Sequence, residues 1–262
     1  MNTTLRLACG HDPREWTAAA HDALARGLAP ESIVWLEGEA DDLFAAAAAI
    51  PLSSNGARHA RWPAEFVQQV RRVICHADSR RHALLYRVAW RLATQPQLMQ
   101  LAHDPDVRQL HAWDREVRRA AHKMKAFVRF RHDAVNDVYL SWFDPGHHVL
   151  RALAPFFTGR FASMRFVIAT PLLSASWDCA TLRFGPGAPR RAGESDPCEH
   201  LWRTYYASIF NPARLMVRAM KREMPQRYWR DLPEAELIPG LIATAGARTR
   251  AMIDDEDPAA QD

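Results

Sequence analysis

Apolar residues recur at helical spacing through much of the first 125 positions, and the period then shortens to that of strands. The chain opens with a short apolar run, Leu5–Ala8, that reads as a strand. Asp12-Pro13-Arg14-Glu15 has the layout of a helix start: a capping Asp, Pro in the first turn and Glu three residues on. Trp16, Ala20, Ala23 and Leu24 then share a face, and Gly27 can end the helix. Ile33–Leu36 reads as a second strand, and 51–61 as a loop rich in Ser, Asn and Gly. Residues 63–124 predict three helices. Phe66, Val67, Val70, Val73 and Ile74 mark the first, and Leu84, Leu85, Val88 and Leu92 the second. The third starts at Asp104-Pro105.

From Ala126 the pattern predicts strands at Phe127–Phe130 and Val138–Phe143 with a turn at Asp133–Asp137. A helix opens at Asp144-Pro145 and buries Val149, Leu150, Leu153 and Phe157, with Pro155 kinking or ending it. Strands follow at Met164–Thr170 and Ala180–Phe184. Gly185–Pro197 reads as a loop, and most of the chain from Glu199 onward as helical. The expectation is an α+β fold. An N-terminal strand-helix-strand with helices packs on a four-stranded antiparallel sheet (strand-strand-helix-strand-strand), and a C-terminal helical segment closes it. Residues 1–252 are expected to form a single domain, with a mostly helical part over 1–125 and the sheet and C-terminal helices over 126–252. Residues 253–262 are expected to be an acidic, disordered tail.

Hydrophobic residues are 48% of the chain and charged residues 24%, enough for a sizeable core and no signature of wholesale disorder. No run of about 18 apolar residues suggests a membrane span. The N-terminus lacks a signal-peptide layout, so a cytoplasmic location is expected. Cys9, Cys75, Cys179 and Cys198 are scattered, so they read as ordinary thiols; no metal and no cofactor are expected. The net charge of +4 becomes +9 once the five acids of the tail are set aside, which favours a polyanionic partner. Of the 34 basic residues all but Lys123, Lys125 and Lys221 are Arg, a residue suited to phosphate forks, although GC-rich coding produces the same excess.

The third helix carries the sharpest pattern. Val107, Leu110, Trp113, Val117 and Ala121 fall on one side of a helical wheel. Arg108, His111, Arg115, Arg118, Arg119 and His122 fall on another, with Lys123 continuing that face and Asp114 and Glu116 at its flanks. This suits a phosphate-tracking surface; the alternative is a solvated face whose arginines pair with acids elsewhere. A second basic arc, Arg214, Arg218, Lys221 and Arg222, lies on a helix begun by Asn211-Pro212. It is flanked by Trp202-Arg203-Thr204-Tyr205-Tyr206 and by Arg227-Tyr228-Trp229-Arg230. Tyr205, Tyr228 and Trp229 are the candidates for stacking bases, unless they are core residues. Metal and nucleophile motifs are sparse. His147-His148, read on a helix, cannot face one ion, and neither a nucleophile elbow nor a phosphate-binding glycine loop occurs.

Several long motifs occur in order: His122-Lys123-Met124-Lys125-Ala126-Phe127-Val128-Arg129-Phe130, Trp142-Phe143-Asp144-Pro145, Ala154-Pro155-Phe156-Phe157, Trp177-Asp178 and Leu182-Arg183-Phe184-Gly185-Pro186-Gly187. They continue through Trp202–Arg214 and Met224-Pro225-Gln226-Arg227-Tyr228-Trp229. Over roughly residues 10–252 the chain resembles an uncharacterised bacterial family described as probable DNA-metabolism proteins. Its members are encoded beside a putative DNA-modification or repair radical-SAM protein and are also fused to UdgX-type uracil-DNA-binding domains. The family often has Glu-x-His where this chain has Asp144–His148, and His-Trp-Asp-Gly where it has Ser176-Trp177-Asp178-Cys179.

The resemblance implies a context, with DNA and a radical-SAM protein or a UdgX-type glycosylase domain as partners, but supplies no catalytic residues. The first expectation is a nucleic-acid-binding accessory protein, with Arg108, Arg115, Arg118, Arg119, Arg129, Arg214, Arg218 and Arg227 on phosphates. The second is an enzyme or enzyme subunit acting on a nucleobase, with His122, Asp178 and Asn211 to test. The third is a protein-interaction scaffold.

Overall fold

A computed structural model describes residues 3–38, 62–190 and 216–256. The described chain is α+β, with seven α-helices and two sheets, and it divides into two compact units. Unit 1 comprises residues 1–123 and 145–153, and unit 2 comprises 124–144 and 154–262.

In unit 1, β1 (Thr3–Leu7) and β2 (Ile33–Glu37) pair in parallel, joined by α1 (Pro13–Ala25). The start of α1 is as its sequence predicts: Asp12 accepts the Arg14 amide at 2.8 Å, and Trp16, Ala20 and Ala23 are buried. α2 (Ala64–Val73), α3 (Arg81–Leu92) and α4 (Pro105–Phe127, its last turn in unit 2) follow. Phe66, Val70 and Val73 of α2, Leu84, Leu85 and Val88 of α3, and Val107, Leu110, Trp113 and Val117 of α4 are all buried. Near the C-terminal end of α4, Ala120 and Met124 are buried, whereas Ala121 is only half-buried.

Unit 2 holds a five-stranded sheet in the order β3-β4-β5-β6-β7: Arg131–Asp133, Val138–Trp142, Phe166–Ala169, Leu173–Trp177 and Leu182–Pro186. Three details differ from expectation. Phe127 ends α4, so the first strand starts at Arg131. Leu173–Trp177 is an additional strand, which Ser174 and Ser176 hide from a hydrophobic count. β4 and β5 run parallel, because the connection between them contains a helix, α5 (Leu150–Arg160), and a helical crossover returns the chain in the same direction.

α5 begins at Leu150 rather than at Asp144. Gly146 sits at φ +71°, outside the helical region, so 144–149 is a loop. Pro155 lies inside α5 without ending it. Among the described residues the C-terminal part has two helices, α6 (Val217–Glu223) and α7 (Ile238–Glu256), so α7 continues four residues into the segment set apart as a tail. Leu232, Ala235 and Ile238 form a small core there, with Met224 and Trp229 against it.

Candidate functional site

The basic face of α4 is built as one stripe. Arg108, Arg115, Arg119 and His122 are exposed at spacings of seven, four and three residues, about 21 Å along the axis. Among the described residues, none of Arg108, Arg115 and Arg119 takes part in an ion pair. Other residues of the predicted face are committed elsewhere. Lys123 is 5% exposed, so it does not continue the stripe. His111 Nδ1 meets the Gln69 amide at 3.0 Å. Asp114 is buried, bonds Arg72, and lies 3.9 Å from Arg118 one turn along the helix. Arg87 and Arg91 form a network with Asp104 and Asp106, showing that a share of the arginines is structural.

In unit 2 the picture changes more. Tyr228 is 2% exposed and lies between Phe143 (5.1 Å between ring centroids) and Phe127 (5.6 Å), so it packs as a core residue. Trp229 is half-buried, with Nε1 donating to the Met224 carbonyl at 3.0 Å. Arg227 is spread over the Tyr228 ring, and Arg129 donates to the Ala126 carbonyl at 2.8 Å, closing the end of α4. Arg218 is exposed on α6.

Asp178 is exposed, but its carboxylate accepts the Ala180 and Thr181 amides and the Arg183 guanidinium at 2.6 to 3.0 Å. It is the pivot of the β6–β7 turn, and those bonds hold its pKa below the usual carboxylate range. Among the described residues, no titratable or nucleophilic side chain other than Arg183 bonds to it. Tyr205, Asn211, Arg214 and Cys198 lie outside the described residues.

The structure also gathers residues that have no sequence spacing in common. Among five histidines of unit 1, His11 and His82 lie at the turn after β1, His148 stacks on His11, and His76 meets His147, the chain neighbour of His148. The adjacent pair His147-His148 lies in the loop, not on a helix. His147 meets His76 (4.5 Å between centroids) and His148 stacks on His11 (5.1 Å, 11° between planes). His76 also stacks on Trp113 at 4.6 Å. Next to them, Arg81 is 1% exposed and donates to Glu37 at 2.8 Å, while both Arg81 and His82 donate to the Gly10 carbonyl, at 3.1 and 2.6 Å.

His76, His147 and Glu116 are the group whose donor atoms, all within 4.8 Å of one another, come nearest to a cation site among the described residues. Their hydrogen bonds oppose ligation through Nε2. Nδ1 of His76 accepts the Asp78 amide and Nδ1 of His147 accepts the Ala77 amide, both at 3.1 Å. A neutral imidazole with Nδ1 accepting carries its proton on Nε2. His76 Nε2 accordingly donates to Glu116 at 3.0 Å. A histidine ligand normally donates from its second nitrogen to its surroundings, the reverse of this arrangement.

Burial and the Arg81 charge push His82 and His148 down to about 4, and burial followed by Arg151 and Arg81 lowers His11. All three are neutral at pH 7. In the unfolded chain they bind protons near 6.5, so lowering the pH below that value protonates the unfolded state first and erodes stability until the folded-state values are passed. We expect unit 1 to lose on the order of 2–3 kcal/mol between pH 7 and pH 4 from His82 alone. Urea melts of wild type and His82→Gln across that range check this; parallel curves would contradict it. Cys75 is buried, which pushes its thiol up to about 12 and makes it inert.

Together these features define an α+β protein with an arginine-lined helix and a histidine-lined turn. The chain belongs to the family of the domain of unknown function DUF4130, whose model matches residues 79–234, more than half its length. Neither a curated protein nor a solved structure matches the chain. The matched region includes Arg81, His82, α4, His147 and His148, and leaves out β1, α1 and β2. No helix among the described residues is long and apolar enough to cross a membrane.

Proposed function

We propose that the chain is a nucleic-acid-binding accessory protein of DNA repair or modification, acting beside a radical-SAM protein or a uracil-DNA glycosylase-like partner. The observation that carries the reading is the stripe of Arg108, Arg115 and Arg119 on α4, exposed and without ion pairs among the described residues, opposite a buried face. Guanidinium groups held along about 16 Å of helix can follow a run of phosphates. Arg118, shared with Asp114, and Arg218 are secondary contacts. The family resemblance supplies the repair context and the partners.

Fluorescence anisotropy of labelled single- and double-stranded DNA over a salt series tests the reading. Reversing Arg115 and Arg119 to Glu is expected to weaken binding by about tenfold or more and to lower the slope of log K against log salt by about 2. Unchanged affinity and slope would make the stripe a solvated or protein-facing surface.

A further inference from the structure

The turn after β1 is more constrained than a connection needs to be. Gly10 has φ +62°, and the His11 amide donates to the Cys9 carbonyl at 2.7 Å across it, a three-residue turn that folds His11 back over Cys9. Glu15 accepts the Ala8 and Cys9 amides, and Asp12 caps α1 immediately after. Two buried side chains, Arg81 and His82, converge on the one carbonyl of Gly10. The outcome is that Cys9 Sγ lies 3.4 Å from His11 Nε2, with both residues half-buried and open in part to solvent.

We propose that Cys9 is a nucleophilic thiol with His11 as its base, in a site for a small molecule that carries an electrophilic carbon. With the His11 proton on Nδ1, the Nε2 lone pair faces the thiol. His148, stacked on His11, is a positioning residue. Its ring nitrogens make no hydrogen bond among the described residues, which leaves them to solvent or ligand. The charged groups that act on His11 are Arg151, Arg81, Glu37 and Asp12. Their net effect, with burial, keeps the imidazole neutral and able to accept a proton.

Asp12 already caps the N-terminus of α1, Glu15 holds the Ala8 and Cys9 amides, and Glu37 balances the buried Arg81, so the site sets no demand for a negatively charged ligand.

With a carbonyl substrate, Sγ bonds to the carbonyl carbon and the π pair moves to oxygen. The thiol proton passes through His11 to that oxygen, giving a hemithioacetal with no other reactant. The site is independent of the nucleic-acid reading.

Alkylation of the full chain by iodoacetate and iodoacetamide, followed by peptide mass mapping, tests the proposal. In that reaction the Sγ–C bond forms as C–I breaks, the proton goes to His11 and iodide leaves. Cys179, exposed in the β6–β7 turn, is the internal reference, and buried Cys75 reports the fold. Cys9 is expected to react about tenfold faster than Cys179 at pH 7. His11→Gln is expected to slow Cys9 by about tenfold, leaving Cys179 unchanged and Cys75 protected. Cys9 reacting no faster than Cys179 in the unsubstituted protein would overturn the proposal. An unchanged Cys9 rate in a folded His11→Gln protein would overturn it as well.

Discussion

Gly10→Ala is expected to destabilise unit 1 by about 2–4 kcal/mol, seen as a lower urea midpoint at unchanged slope. Two effects add. A left-handed φ of +62° is open to glycine and costs about 1–2 kcal/mol for a residue with a Cβ. The new methyl would also stand 2.7 Å from Glu37 Cδ, so the carboxylate must swing away. Glu37 is a third exposed and can move, but Arg81, whose charge it balances, is buried and cannot follow. Weakening that pair adds roughly 1–2 kcal/mol, less than the loss of a fully buried pair because solvent screens Glu37. Glu37→Gln isolates the second effect and is expected to cost less than Gly10→Ala. A change below about 1 kcal/mol for Gly10→Ala would mean that the turn is not held as described. The same substitution separates Cys9 from His11 and should slow Cys9 alkylation.

Much of the fold is legible along the chain because its signals are local. Asp12-Pro13 starts α1, and Val107, Leu110, Trp113 and Val117 mark the buried side of α4. What the chain hides depends on neighbours distant in sequence. Lys123 falls at the edge of the basic arc on a wheel, yet a wheel carries no information about what packs beside it, and the residue is buried. β6 shows little apolar alternation because Ser174, Ala175 and Ser176 fill its middle.

The histidine cluster is less legible still. His11, His76, His82 and His148 come from a turn, a helix end, a helix start and a loop, and no spacing rule unites them. One signal was available: Gly146 before His147-His148 breaks the helix that made the pair look divergent, and in a loop two adjacent side chains reach different partners.

Tyr228→Ala is expected to cost about 3–5 kcal/mol in unit 2, whereas Tyr228→Phe should stay within about 1 kcal/mol. The ring fills the space between Phe143 and Phe127 with Arg227 above it, and its hydroxyl takes a hydrogen bond of 2.5 Å from Arg227. Removing the ring leaves a cavity that Phe143 and Phe127 line and cannot readily fill; removing the hydroxyl alone releases Arg227 to solvent, where it is already exposed. The pair of variants also separates two roles for this tyrosine. A base-stacking side chain would lose about 1–3 kcal/mol of DNA affinity on truncation with stability little changed. The buried geometry predicts the opposite: Tyr228→Phe keeps full DNA affinity, and Tyr228→Ala loses stability first, its affinity falling only as unit 2 unfolds. A stable Tyr228→Ala protein with weakened DNA binding would return Tyr228 to the nucleic-acid surface and move the centre of binding from α4 to unit 2.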